Sequence, residues 1–221
     1  MGQNMGMQLY GFWRSLASFR VRVALKLKGL PFEEIPVDIL AGEQFRPDYQ
    51  SVNAERVVPT LVHDGNTVFQ SLAIIEYLDE ICPGPPLLPV GATERAHARA
   101  LALVTIADAH PLVTPRVRNH VAKAFQADGA AIEEWSKHWT TEALAVYERL
   151  LASRAPAPFA LGSTPGLADI CIAGQVVGAQ FLKLEMHDFP AVARLADRCF
   201  EMPAFATSHP FEQPGYRAAG R

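Results

Sequence analysis

Leu9-Tyr10-Gly11-Phe12-Trp13-Arg14-Ser15-Leu16-Ala17-Ser18-Phe19-Arg20-Val21-Arg22-Val23-Ala24-Leu25-Lys26-Leu27-Lys28-Gly29 decides how the rest of the chain is read. A short apolar strand runs into a turn, and the turn opens a helix that closes at a glycine. Leu16, Phe19, Val23 and Leu27 follow helical spacing, and Arg20, Arg22, Lys26 and Lys28 are expected to reach solvent. Gly29 suits the position after the helix, because glycine enters the left-handed conformation at little cost. Ser15 stands where the helix begins. Its hydroxyl can cap a backbone N–H, or it can face a ligand anion that the helix terminus already favours.

Outward from this stretch, Pro31 to Val37 reads as a second strand, parallel to the first because a helix separates them. Phe45 to Val52 is a weak helical patch interrupted by Pro47. Val57 to Val62 reads as a third strand. Asp64-Gly65 is a two-residue hairpin signal, and Asn66 to Phe69 returns antiparallel. Ser71 is expected to cap a third helix with Leu72, Ile75 and Leu78 on its buried face. This order predicts a small α/β domain over residues 1–83. The prolines at 83, 85, 86 and 89 mark a linker over 84–92, since they propagate neither helix nor sheet.

Residues 93–221 read as helix only. A long Ala-rich segment from Thr93 to about Phe125 must kink or split at Pro111 and Pro115. A second long helix follows Gly129, with Trp135 and Trp139 expected in its core. Leu167 to Leu184 is the most apolar helix and the expected centre of this domain. Another spans Ala191 to Phe200, and the tail after Pro203 reads as irregular.

Composition narrows the function classes. The hydrophobic content of 49% supports a real core, and the formal charge of -3 without a basic run argues against a nucleic-acid binder. No apolar stretch reaches membrane-spanning length, and Met1 to Gly6 lacks the pattern of a signal peptide and reads as a loose tail. Three widely spaced cysteines, Cys82, Cys171 and Cys199, suggest a reducing compartment, hence a cytoplasmic protein. The seven histidines show no metal-ligand spacing, so no metal is expected.

The whole pattern resembles the cytosolic glutathione transferases. A thioredoxin-like α/β domain, a proline linker and an all-α domain follow one another as in that family. Arg14-Ser15-x-x-x-x-Arg20-Val21-Arg22-Val23-Ala24-Leu25 is similar to the first turn of the zeta class, which includes maleylacetoacetate and maleylpyruvate isomerases. Val58-Pro59-Thr60-Leu61 resembles the segment that carries the family's cis-proline, and Gln70-Ser71-Leu72-Ala73-Ile74-Ile75-Glu76-Tyr77-Leu78 resembles its γ-glutamyl site. His110-Pro111 and Gly162 to Asp169 extend the likeness into the helical domain. Departures are local. Zeta turns read Ser-Ser-Cys where this chain has Ser15-Leu16-Ala17, and the isomerases' substrate-holding arginine falls here at Phe181, flanked by Gln180.

The resemblance implies glutathione as co-substrate, a homodimer and a role for each matched residue. Ser15 would hold the thiolate, with Ser18 as the other donor to consider and Arg14 beside it for a carboxylate. A free thiol has pKa about 8.5, and lowering it by about two units takes about 2.7 kcal/mol. Gln44, Val58, Pro59, Gln70 and Ser71 would bind the tripeptide. Trp13, His110 and Arg116 would line the pocket for the second substrate. That substrate is either a small electrophile to be conjugated or a maleyl-type acid to be isomerised. The alternative is a non-catalytic binding or regulatory protein on the same fold.

Overall fold

The computed structural model describes residues 6–155 and 157–218. The tail expected over Met1 to Gly6 therefore lies, except for Gly6, outside the described residues. Four strands are formed: β1 (Met7–Gly11), β2 (Phe32–Pro36), β3 (Thr60–His63) and β4 (Asn66–Phe69). The helices are α1 (Leu16–Leu27), α2 (Pro47–Val52), α3 (Ser71–Ile81), α4 (Ala92–Leu103), α5 (Pro115–Phe125), α6 (Gly129–Ala152), α7 (Leu167–Phe181), α8 (Pro190–Phe200), α9 (Pro203–Ala206) and α10 (Pro214–Ala218). The chain forms two compact units, residues 6–87 with 202–218, and residues 88–201.

The first unit is built on a sheet of order β2-β1-β3-β4. β1 and β2 are parallel, with Met7 opposite Phe32 and Gly11 opposite Pro36. β3 runs antiparallel to β1 and to β4, with Tyr10 opposite Thr60 and Thr60 opposite Phe69. Asp64 and Gly65 both take positive φ, 49° and 78°, which matches a two-residue hairpin to the twist of its strands. α1 ends as its sequence predicts, with Gly29 at φ 64°. Phe19, Val23 and Leu25 from α1 and Ile74, Ile75 and Leu78 from α3 are wholly buried.

Four expectations need correction here. Arg20, Arg22 and Lys28 are buried, not solvated. Each finds polar partners inside the unit: Ser71 for Arg20, Glu34 for Arg22 and Asp79 for Lys28. Helical spacing reads only apolarity and so misses a face on which cations are paired. Ser71 is not the cap of α3. Gln70 holds that position with φ 70°, and Ser71 is the first helical residue. The patch around Pro47 is a 3₁₀ turn (Glu43–Phe45) followed by α2, which starts at the proline because a first-turn residue needs no N–H partner. The tail after Pro203 is not irregular. It forms α9, a 3₁₀ turn (Pro210–Glu212) and α10, each started by a proline.

In the second unit, α7 is buried along most of its length, and α4, α6 and α8 pack against it. The long Ala-rich segment divides at Leu103, ahead of its prolines. A π turn (Val104–Ala109) and a 3₁₀ turn (His110–Val113) follow. Pro111 has no N–H to continue the ladder. Thr105 in the widened turn shares its hydroxyl with Tyr147 (2.8 Å) and Gln175 (3.3 Å), which anchors the distortion in the core. Trp135 and Trp139 are half-buried rather than core residues, their rings 5.8 Å apart, and Trp135 Nε1 donates to the Leu112 carbonyl. Asp169 closes the start of α7 by accepting from the N–H groups of Ala160 (2.8 Å) and Gly166 (2.9 Å).

Candidate active site

The strand register gathers three chain segments at one end of the sheet. Tyr10 lies opposite Thr60, and Thr60 opposite Phe69. The residues just beyond them are the turn from Phe12 to Ser15, the Val58–Pro59 peptide, and Gln70-Ser71. Each then starts or approaches a backbone feature with groups to spare.

The turn closes when Ser15 N donates to the Phe12 carbonyl at 3.0 Å. Ser15 is the N-cap of α1, and its Oγ accepts from Ser18 N at 3.2 Å. A hydroxyl that accepts keeps its proton to donate. Ser15 is half-buried, so that proton can point at a ligand. Ser18, the other donor considered, is fully buried, and its Oγ accepts from Phe12 N at 3.3 Å. It ties α1 to the turn from within. Arg14 is exposed at the corner, and the Trp13 ring packs on Phe12 (5.6 Å) and Tyr216 (5.5 Å).

The Val58–Pro59 peptide is cis. Its surroundings are fully bonded. Tyr49 Oη donates to the Val57 carbonyl at 2.6 Å, Asn53 Nδ2 donates to the same carbonyl at 3.0 Å, and both reach Thr60 Oγ1. Burial pushes the Tyr49 phenol above its ordinary value, and its hydrogen bonds to Thr60 and Asn53 oppose that. Among the described residues the N–H and C=O of Val58 have no hydrogen-bond partner, so they can pair with an extended ligand backbone.

At α3, Ile74 N is the first to bond back, to the Gln70 carbonyl, which leaves the N–H groups of Ser71, Leu72 and Ala73 for an anion. Arg20 Nε donates to Ser71 Oγ at 3.1 Å, placing a buried guanidinium behind this terminus. Gln70 Nε2 donates to both Glu55 oxygens, at 2.8 and 3.2 Å. Sequence reading passed over Glu55, which sits in a loop without pattern. Gln44 Nε2 donates to the Ile39 carbonyl at 3.3 Å, while its buried Oε1 has no partner among the described residues.

Known proteins resemble this chain in sequence and fold. The family model for the glutathione S-transferase N-terminal domain matches residues 5–80. A maleylpyruvate isomerase from Ralstonia sp. is 37% identical, over 94% of this chain and 99% of its own. The holo structure of a maleylpyruvate isomerase described as a bacterial zeta-class glutathione transferase superposes with a TM-score of 0.91 at 36% identity, covering 94% of this chain and 98% of that one. The chain belongs to the zeta-class glutathione transferase family. A maleylacetoacetate isomerase from Methylobacterium extorquens AM1, solved with malonate and glutathione bound, also gives 0.91, at 38% identity and the same coverage.

In this zeta-class transferase the first unit holds Trp13, Arg14, Ser15, Gln44, Val58, Pro59, Gln70 and Ser71. His110 and Arg116 stand in the second unit, His110 half-buried at the start of a 3₁₀ turn and Arg116 exposed in the first turn of α5. Phe181 is half-buried at the end of α7. Among the described residues no group of three His, Cys, Asp or Glu side chains is placed to hold a metal, and no helix is long and apolar enough to cross a membrane.

Proposed function

We propose that this protein ionises glutathione and uses the thiolate to isomerise a maleyl-type acid from cis to trans. The observation that carries this reading is the Ser15 hydroxyl. It is anchored by the N–H it accepts, and its proton remains for a sulfur lying at the start of α1. Oriented helix N–H groups add to the same field.

The tripeptide fits the remaining groups. Its γ-glutamyl carboxylate suits the open N-terminus of α3 beside Ser71, with Arg20 behind. Its ammonium suits the Glu55 carboxylate that Gln70 now engages. The cysteinyl backbone pairs with Val58, and the Gln44 Oε1, without a partner among the described residues, offers an acceptor for the glycyl N–H. The thiolate adds to one alkene carbon, and the electron pair moves onto the adjacent carbonyl as an enolate. The carbon–carbon bond is then single and rotates. Collapse of the enolate expels the thiolate and leaves the trans product, with no net gain or loss of atoms. Within the first unit, Arg14 is the candidate cation for a carboxylate of the acid, and Trp13 the candidate wall. With Leu16 and Ala17 replacing the hydroxyl and thiol of other zeta turns, Ser15 bears the activation without a side-chain neighbour of that kind. A homodimer in the cytoplasm belongs to the same reading, and sedimentation tests the dimer.

The test is Ser15→Ala assayed by the glutathione-dependent loss of maleylacetone absorbance near neutral pH. Losing the about two pK units that a thiolate donor must supply, from a thiol of pKa about 8.5, predicts a drop of about 25-fold in kcat/KM at pH 7. Full turnover in this variant overturns the mechanism. A wild-type protein that binds no glutathione at millimolar concentration by calorimetry is a scaffold instead.

A further inference from the structure

Arg22 is fully buried on a helix face whose sequence gives no sign of it. All three guanidinium nitrogens are engaged. Nη1 donates to Glu34 Oε1 at 2.8 Å, Nη2 to the Trp13 carbonyl at 3.2 Å, and Nε to the Ser208 carbonyl at 3.3 Å. The three acceptors come from β2, from the turn ahead of α1, and from the C-terminal segment.

Trp13 and Arg14 are the two central residues of the turn that delivers Ser15. The peptide between the central residues of such a turn can flip, and the flip changes the turn type. Here the guanidinium holds the Trp13 carbonyl inward. Because the peptide is planar, that fixes the orientation of the whole Trp13–Arg14 unit. The Trp13 ring is held from another direction. A Cβ built on Gly215 would lie 2.5 Å from Trp13 Cδ1, and Tyr216 packs at 5.5 Å. Gly11 serves the same assembly, since a Cβ there would lie 2.9 Å from Glu34 Oε1.

We infer that Arg22 is a positioning residue for thiol activation, coupling the C-terminal segment 202–218 to the turn that aims the Ser15 hydroxyl. The inference rests on the glutathione reading above. Arg22 acts through the Trp13 carbonyl. A hydrogen bond to sulfur weakens steeply once its angle is lost, so a small rotation of the turn is enough to matter. Lysine cannot replace this arrangement, because a point charge on a flexible stem does not reproduce the planar fork. The charged neighbours are Glu34, Lys26 and His209. Burial lowers Lys26 and His209 from their ordinary values; the charge of Arg22 contributes to both, and Glu34 opposes it at Lys26 and Glu212 at His209. Lys26 Nζ also ties down the segment by donating to the carbonyl (3.0 Å) and hydroxyl (2.8 Å) of Thr207.

The test compares wild type, Arg22→Lys and Gly215→Ala in two measurements. One is the pH profile of kcat/KM for glutathione-dependent maleylacetone turnover, with the ultraviolet absorbance of the bound thiolate. The other is the affinity for S-methylglutathione, which carries no ionisable sulfur. Each variant is expected to move the acidic limb to higher pH by about one unit, with a loss of about tenfold at pH values below the limb and about threefold at pH 7. Affinity for S-methylglutathione stays within about twofold. If Arg22→Lys does not fold, Gly215→Ala decides alone, since its added methyl sits at a half-buried position and removes no buried charge. A folded Gly215→Ala protein with an unmoved limb overturns the inference. So does an affinity loss equal to the loss in kcat/KM, which would mean that the segment shapes binding only. A wild type without a glutathione-dependent limb defeats the glutathione reading itself, and the positioning role with it.

Discussion

Ser15 shows why capping and catalysis need not compete. A hydroxyl has one proton and two lone pairs, and the cap uses only a lone pair. Ser71 is a parallel case at α3, where Oγ accepts from the buried Arg20 and the backbone N–H groups face outward. Ser71→Ala removes a partner from a buried cation and a hydroxyl donor from the anion site. It is expected to weaken glutathione binding by about tenfold, near the ~1.4 kcal/mol scale of a charge-assisted hydrogen bond. Isothermal titration calorimetry checks it, and an unchanged dissociation constant would remove Ser71 from the site. The arginines are the residues that periodicity misread. Nothing in the local pattern distinguishes Arg20 and Arg22 from solvated cations, because their partners Ser71, Glu34 and Ser208 are 51, 12 and 186 positions away.

Among the elements, α1 is the most legible and the most consequential. Its cap, its apolar spacing and its terminal glycine all agree, as expected of a segment whose local preferences match the fold. Gly29 has φ 64° and no atom within 4 Å of a built Cβ, so substitution there meets backbone strain alone. Gly29→Ala is expected to destabilise the protein by about 1 kcal/mol, read from chemical denaturation. The π turn between α4 and the His110 segment was not legible. The Thr105 hydroxyl within it bonds to Tyr147 and Gln175, which lie on other helices.

For the whole molecule, pH dependence has an identifiable source in the second unit. Burial pushes the Asp169 carboxyl up to about 6, against the backbone N–H bonds that it accepts. The folded state therefore holds this proton more tightly than the unfolded chain. Its contribution to stability is full below the ordinary value of 3.8 and declines as pH rises through about 6. The span corresponds to about 3 kcal/mol. Asp169→Asn is expected to flatten this part of the stability-versus-pH curve between about pH 4 and 6. It also lowers stability, because the amide turns an NH2 donor toward one of the Ala160 and Gly166 N–H groups that the two Asp169 oxygens now meet. Urea titrations across that range measure both, and an unflattened curve would place the dependence elsewhere.

The sequence by itself determined the order of strands and helices in the first unit, the parallel pairing of β1 with β2, the antiparallel hairpin of β3 and β4 at Asp64-Gly65, the end of α1 at Gly29, and the apolar centre at α7. These follow from spacing, turn chemistry and chain connectivity, which act within a few residues. The tertiary structure decided that three cations are buried, that Gln70 rather than Ser71 caps α3, that Glu55 faces Gln70, and that residues after Met202 return to the turn beneath Ser15. Each of these depends on a partner brought close only when the chain has folded. Buried polar groups are placed by such partners, because burial without them costs more than a local preference can offset.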